Sequence, residues 1–189
     1  MNRNFKIKKI TGVGVMLALT IVLQIVSTYI RFGTVEIALG LIPMILGACI
    51  YGPAAGLLLG AAQGIVIILS PATLTFFMPI NPVATILLCI LKTGLAGLAS
   101  SFIYRLLKRY NSLLGVGIAA LAAPLINTGI YILGTLIFFL EVYGNSVSAL
   151  IVGTLTINFL IEVIVMLVLV PIFERILKIY GNKLLPDEE

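Results

Sequence analysis

Long apolar runs follow one another along the chain, separated by short segments that carry charges, prolines or glycines. A helix needs about 20 apolar residues to cross the roughly 30 Å hydrocarbon core of a bilayer, so these runs predict membrane-spanning helices. The pattern predicts six spans, over residues 10–30, 37–51, 54–69, 82–107, 113–140 and 147–177. The second and third are short and meet at Tyr51-Gly52-Pro53, which predicts a tight hairpin. We therefore expect an all-α membrane protein, with residues 1–189 forming a single bundle of six transmembrane helices.

The composition places the chain in a membrane and leaves little of it outside. Hydrophobic residues make up 61% and charged residues 10%, and the mean hydropathy is +1.22, values far from those of a soluble domain. Any function must therefore reside among the helices. The net charge of +5 would suggest nucleic acid in a soluble protein, but here the basic residues flank the spans, so we expect membrane lipid and no nucleic acid as a partner.

The distribution of lysine and arginine predicts the orientation, because cytoplasmic connections carry an excess of both. With the N-terminus inside, ten basic residues fall on the cytoplasmic side and one falls outside. The cytoplasmic set is Arg3, Lys6, Lys8, Lys9, Arg105, Lys108, Arg109, Arg175, Lys178 and Lys183, and the outer residue is Arg31. Both termini are therefore predicted in the cytoplasm.

Several kinds of chemistry lack their usual residues. The chain has no histidine, Cys49 and Cys89 lie inside apolar runs, and the only aspartate is Asp187 in the tail. A zinc site, a histidine-based relay and a carboxylate-rich metal site are all disfavoured. We expect no metal, no cofactor, no catalytic residues and no enzymatic activity.

Lys92 is the most informative residue, because it lies in the middle of the apolar run Pro82 to Leu107. An ammonium near the bilayer midplane is costly and requires a buried partner, an anionic ligand or a path to water.

Other polar residues lie at a similar depth. Gln63, Asn127 and Asn158 fall near the middle of their spans, with Glu162 about one turn deeper. Two interpretations remain open: Lys92 and Glu162 form a buried ion pair, or the layer surrounds a ligand. In the second, Lys92 meets an anionic group while the two asparagine amides donate and accept hydrogen bonds.

Two aromatic features border this layer. Tyr131 lies one turn from Asn127 and could either stack on a flat ligand or anchor the helix at the interface. The outer connection 70–81 is apolar and contains two prolines. It is either a lid over the outer mouth or a segment that rests on lipid headgroups. As a lid, it would close three side chains on a ligand, namely Phe76, Phe77 and Met78.

Small residues recur at helical spacing in two spans. Gly14 and Ala18 stand four apart in the first, with Gly12 near the same face, and such a stripe lets another helix approach closely. The third span repeats glycine at the same period, at Gly56, Gly60 and Gly64. We expect these three glycines to serve packing inside the bundle.

Taken together, these features resemble the substrate-binding S components of energy-coupling factor (ECF) vitamin transporters. The resemblance covers about Ile10 to Leu177. It is carried by the basic N-terminus with Gly14-Val15-Met16-Leu17-Ala18, by Ile42-Pro43 through Tyr51-Gly52-Pro53-Ala54-Ala55-Gly56, by Leu91-Lys92-Thr93-Gly94-Leu95-Ala96-Gly97, by Pro124-Leu125-Ile126-Asn127-Thr128-Gly129, and by Asn158-Phe159-Leu160-Ile161-Glu162.

The resemblance implies a substrate-binding subunit without an ATPase of its own. Such proteins bind a vitamin near the extracellular side. The small-residue stripe, here Gly14 and Ala18, docks onto a transmembrane coupling subunit that two ATP-binding subunits drive, and the bundle is thought to topple in the membrane. The chain has Gly14 where the typical stripe begins with alanine. It has Thr34-Val35-Glu36 instead of the Asp-rich start of riboflavin-type members.

Two functional hypotheses follow. In the first, the chain binds a water-soluble vitamin; Lys92 favours a small carboxylate such as pantothenate, with riboflavin and pyridoxine-type compounds as other candidates. In the second, it is a free-standing secondary transporter or channel in which Lys92 and Glu162 carry protons.

Overall fold

The structure, a computed structural model, describes the backbone of residues 3–29, 31–32, 35–36 and 38–184, with side chains described at 6–29, 38–139, 153 and 156–180. The described residues form helices joined by short turns, with one two-stranded ribbon. The elements are α1 (Arg3–Tyr29), β1 (Arg31–Phe32), β2 (Val35–Glu36), α2 (Leu41–Tyr51), α3 (Pro53–Ile68), a π-helical turn (Thr73–Phe77), α4 (Pro82–Leu107) and α5 (Ser112–Leu184). The two strands are antiparallel, with Arg31 opposite Glu36 and Phe32 opposite Val35. The predicted all-α membrane class agrees with this architecture.

Within the described chain, four helical segments are long and apolar enough to cross a membrane: Lys6–Tyr29, Pro82–Leu107, Ser112–Phe139 and Thr156–Tyr180. Helix α2 has 11 residues and α3 has 16. At about 1.5 Å per residue they extend roughly 17 and 24 Å, less than the roughly 30 Å hydrocarbon core. The predicted short hairpin is therefore present, and each of its arms falls short of a full crossing by length.

Glycine is required at the turn between α2 and α3. Gly52 has φ of 102°, a conformation that side chains rarely adopt, and its N–H donates to the Ala48 carbonyl at 3.1 Å. A Cβ at Gly52 would also overlap the Arg105 guanidinium of α4. Pro53 then occupies the first turn of α3, where a backbone N–H has no partner within the helix, so the N–H that proline lacks costs no hydrogen bond.

Helices α3 and α4 pack with their backbones in contact. A Cβ added to any of three glycines of α3 would overlap the backbone of α4. Gly56 faces Gly97, Gly60 faces Thr93 and Gly64 faces Cys89. As the residue number rises along α3, that of its partner falls along α4, so the two helices are antiparallel. The predicted role of these glycines in packing inside the bundle is confirmed. Small residues permit such close approach in a membrane, where packing contributes much of the association energy.

We expect Gly60→Ala to destabilise the protein by about 1–3 kcal/mol, because its Cβ would push α3 away from the Thr93 carbonyl. Thermal unfolding in detergent measures the change. Gly129→Ala is the matched control, since a Cβ there would have nothing within 4 Å. Equal melting temperatures for the two variants would contradict the proposed tightness of this interface.

Helix α5 is a single helical element of 73 residues, but its two ends lie side by side. A Cβ at Gly117 would be 3.8 Å from the Val170 side chain, whereas a straight helix would separate these residues by roughly 80 Å. The chain direction therefore reverses within α5. The backbone assignment stays helical between residues 140 and 147, and the predicted boundary between the fifth and sixth spans there stays a prediction.

The contacts between helices define two ends of the bundle. At one end, a Cβ at Gly12 would overlap the Tyr51 hydroxyl and Gly52 lies against Arg105, so the start of α1, the α2–α3 turn and the basic end of α4 are together. At the other end, Gly40, just before α2, packs against Gln24 of α1 and Gln63 of α3. Between the ends lies an apolar core that includes Leu41, Met44, Ile45, Leu59, Val116, Ala120, Met166 and Phe173.

Candidate functional site

A cavity of about 110 Å³ lies toward the end opposite the basic residues. Residues of α1, of the segment around the π-helical turn, of α4 and of both halves of α5 border it. Six of the seven predicted binding residues line it, namely Lys92, Asn127, Asn158, Glu162, Tyr131 and Phe77. Four further polar side chains also line it, namely Gln24, Ser70, Thr73 and Thr128. The predicted layer of polar side chains therefore surrounds an internal space.

Lys92 is 6% exposed, and its Nζ lies 3.8 Å from the centroid of the Tyr131 ring. The negative face of an aromatic ring attracts a cation and partly replaces the lost hydration. Glu162 lines the same cavity. The two interpretations of the polar layer, a Lys92–Glu162 pair and a ligand site, both stay predictions.

Tyr131 contacts Lys92 and also Phe77 of the segment 70–81. Its ring lies 5.7 Å from that of Phe77 at an interplanar angle of 50°, and Phe77 packs edge-on against Phe139 at 5.3 Å. Lys92 covers one face of Tyr131, and the ring positions the ammonium at the cavity wall. The hypothesis that Tyr131 stacks on a flat ligand stays a prediction.

The segment predicted as a lid contains an ordered π-helical turn. The Ser70 hydroxyl donates to Thr73 Oγ1 at 3.0 Å, and the N–H of Met78 donates to the Thr73 carbonyl at 2.9 Å, closing the turn. Phe77 lines the cavity, whereas Phe76 is 60% exposed and is not among the lining residues. Successive residues in a helical turn face different directions, and the role of this segment as a lid stays a prediction.

Gln63 does not line the cavity, contrary to the prediction. It is fully buried, and its Nε2 donates to Gln24 Oε1 at 2.8 Å. Depth along a helix can be counted from the sequence, but the rotation of the helix decides which face meets the cavity. Here Gln63 faces α1, and Gln24 takes the place at the cavity wall.

The asparagines provide neutral hydrogen-bonding groups. Asn127 is 7% exposed, and its Oδ1 has no hydrogen-bond partner among the described residues. A buried amide oxygen without a partner is uncommon and calls for an explanation. Asn158 lies four residues before Glu162 on the same helix face, and both line the cavity.

This arrangement defines a class of protein: a small helical membrane protein that encloses a polar chamber with a cation in its wall. The family described as "ECF transporter, substrate-specific component" matches residues 8–174, and the chain belongs to it. No curated protein and no solved structure matches the chain.

Membership confirms the resemblance drawn from the motifs. The chain is a substrate-specific subunit of a vitamin-type transporter, a multi-pass membrane protein that binds a small molecule and works with an energy-coupling module.

Proposed function

We propose that this chain is the high-affinity binding subunit of an ECF-type importer for a compact, anionic, water-soluble vitamin, with pantothenate as the first candidate. The observation that carries the proposal is Lys92, whose ammonium is buried at the cavity wall against the ring of Tyr131. A cation inside a membrane protein is retained where it serves a ligand or a pathway. A carboxylate that enters the cavity would meet this ammonium at the wall.

The size of the cavity supports a small substrate. Pockets for drug-sized ligands measure roughly 300–1,000 Å³, and this one measures about 110 Å³. The space favours pantothenate or a pyridoxine-type compound over the larger riboflavin.

The proposed importer also contains a transmembrane coupling subunit and two ATP-binding subunits, and it lies in the bacterial cytoplasmic membrane. We assign six crossings to the chain, with both termini in the cytoplasm. The antiparallel contacts of the helices support this topology, as does the position of the cavity at the end away from the basic residues. Gly14 and Ala18 lie on the exposed face of α1 and are proposed as the docking surface. Gly12, in contrast, faces Tyr51 and belongs to the internal packing.

Equilibrium binding to the purified protein tests the proposal, with pantothenate compared with its neutral alcohol. We expect tight binding of the acid and much weaker binding of the alcohol. Micromolar or weaker affinity for every vitamin anion tried would refute the proposed function. Flux through vesicles that contain this chain alone, without ATP-binding subunits, would instead support the free-standing transporter that uses Lys92 and Glu162.

We expect Asn127→Ala to weaken ligand binding by about 1–3 kcal/mol, because its amide would lose a hydrogen bond to a desolvated ligand group. Titration calorimetry measures the change. Thr135→Val is the control, since Thr135 is buried on the same helix but does not line the cavity. An unchanged dissociation constant would give Asn127 a purely structural role.

A further inference from the structure

Gln24 is a buried side chain of α1 at the cavity wall. It is 1% exposed, and it contacts both the cavity and Gln63 of α3. Gly40 packs closely against both side chains. A Cβ added there would lie 2.7 Å from Gln24 Oε1 and 3.1 Å from the Gln63 side-chain amide carbon. The two amides are therefore held in one arrangement by three elements of the fold.

The hydrogen bond decides which end of Gln24 is available to a ligand. Gln63 Nε2 donates to Gln24 Oε1 at 2.8 Å, so the oxygen of Gln24 is already engaged. The Nε2 of Gln24 is the group that is left, and it is a donor without acceptor capacity.

The opposite orientation of both amides is less favourable. In the observed orientation, Gln63 Oε1 is the buried atom without a partner. Reversing both amides would place the Gln63 NH₂ in that position. An unpartnered carbonyl oxygen is tolerated somewhat more readily than an unpartnered N–H group, so packing and hydrogen bonding favour Gln24 as the donor.

We propose that Gln24 is a specificity-determining ligand contact that donates a hydrogen bond from Nε2 to an acceptor on the substrate, and that Gln63 is the positioning residue that fixes this donor direction. The inference rests on the proposed function, since it assumes that the cavity is the substrate site. With Lys92 as a second donor, the cavity selects an anion that presents a further acceptor toward α1.

Three variants test the assignment. We expect Gln24→Met, which keeps the length of the side chain and removes the amide, to weaken binding about tenfold, the effect of losing one buried hydrogen bond. We expect Gln63→Met to weaken it about threefold, by freeing the Gln24 amide to rotate. In the double variant, the loss should equal that of Gln24→Met alone, because a positioning residue has nothing left to position.

The direction of the hydrogen bond has its own test. Gln24→Glu keeps the size and the acceptor for Gln63, but it turns a carboxylate oxygen toward the ligand. We expect a loss of at least tenfold, because an anion then meets another acceptor. If Gln24 instead accepted a hydrogen bond from the ligand, Gln24→Glu would preserve or raise the affinity, and the donor assignment would be overturned.

The measurement is titration calorimetry on the full chain in detergent against pantothenate, nicotinate, biotin, pyridoxine and riboflavin, with the tightest binder carried forward to the variants. Thr20→Val is the matched control, because Thr20 is buried one turn from Gln24 on α1 and does not line the cavity. Melting temperatures show that each variant is folded.

The outcomes separate the two proposals. If the parent binds a compound tightly and Gln24→Met binds it with the same affinity, the role of Gln24 is overturned and the proposed function stays intact. If Gln63→Met lowers the affinity by the same factor in the parent and in the Gln24→Met variant, Gln63 does not act through Gln24. That result overturns the positioning role. A parent that binds none of the five compounds overturns the proposed function, and this inference with it.

Discussion

Lys92→Met is expected to weaken binding of an anionic vitamin by about 100-fold. Removing one partner of a buried charged contact costs about 2–5 kcal/mol, and every 1.4 kcal/mol corresponds to a factor of about ten. Among the described residues that line the cavity, Lys92 is the one cation. Methionine has a similar unbranched shape, so the variant removes the charge with little change in volume. Titration calorimetry with pantothenate measures the loss.

The same variant distinguishes a lost contact from a damaged fold. Replacing a buried charge by an apolar side chain is often neutral or stabilising in the absence of its ligand, so we expect the ligand-free protein to melt at the same temperature or higher. Lys108→Met is the matched control, because its ammonium also lies near a tyrosine ring, 5.9 Å from that of Tyr104, but at the exposed basic end. The role of Lys92 would be refuted if both variants bound pantothenate as tightly as the parent.

The sequence predicts the depth of polar groups well. Counting residues inward from the ends of the apolar runs predicts Lys92, Asn127 and Asn158 at one depth, with Glu162 about one turn deeper, and all four line the cavity. Depth is predictable because the helical rise per residue is constant and the bilayer fixes the length of a span.

Rotation about the helix axis is much harder to predict. A helix in water turns its apolar face inward, but a helix in lipid is apolar on every side, so periodicity does not show which face is internal. Depth alone therefore predicts that Gln63 lines the cavity, whereas in the structure Gln24 lines it and Gln63 donates a hydrogen bond to Gln24 from α3. The same uncertainty applies to Phe76, which is exposed while its neighbour Phe77 reaches the cavity.

Contacts between side chains far apart in the sequence were the least predictable feature. Similar depth predicts that Lys92 and Glu162 lie in one region, but it does not predict that the ammonium packs on the face of the Tyr131 ring. This contact depends on how α4 packs against α5 at the scale of an ångström, which composition and spacing do not determine.

Gly14→Leu is expected to abolish vitamin uptake while leaving binding to the isolated chain unchanged. A Cβ at Gly14 would meet nothing within 4 Å, so the larger side chain fits the fold without strain. Gly14 and Ala18 lie on the exposed face of α1, and a leucine there would hold a docking helix away from the surface that small residues keep flat. Uptake is measured after reconstitution with the coupling and ATP-binding subunits, and binding is measured by calorimetry.

Gly153→Leu is the matched control for this prediction, because Gly153 is also an exposed helical glycine with nothing within 4 Å of its added Cβ. Both glycines can accept leucine within the fold, so a general effect of bulk at the lipid-facing surface would lower uptake equally in the two variants. Loss of uptake in Gly14→Leu alone would assign the docking surface to α1. Normal uptake in Gly14→Leu would exclude that surface, and the partner subunits would then have to engage another face of the bundle.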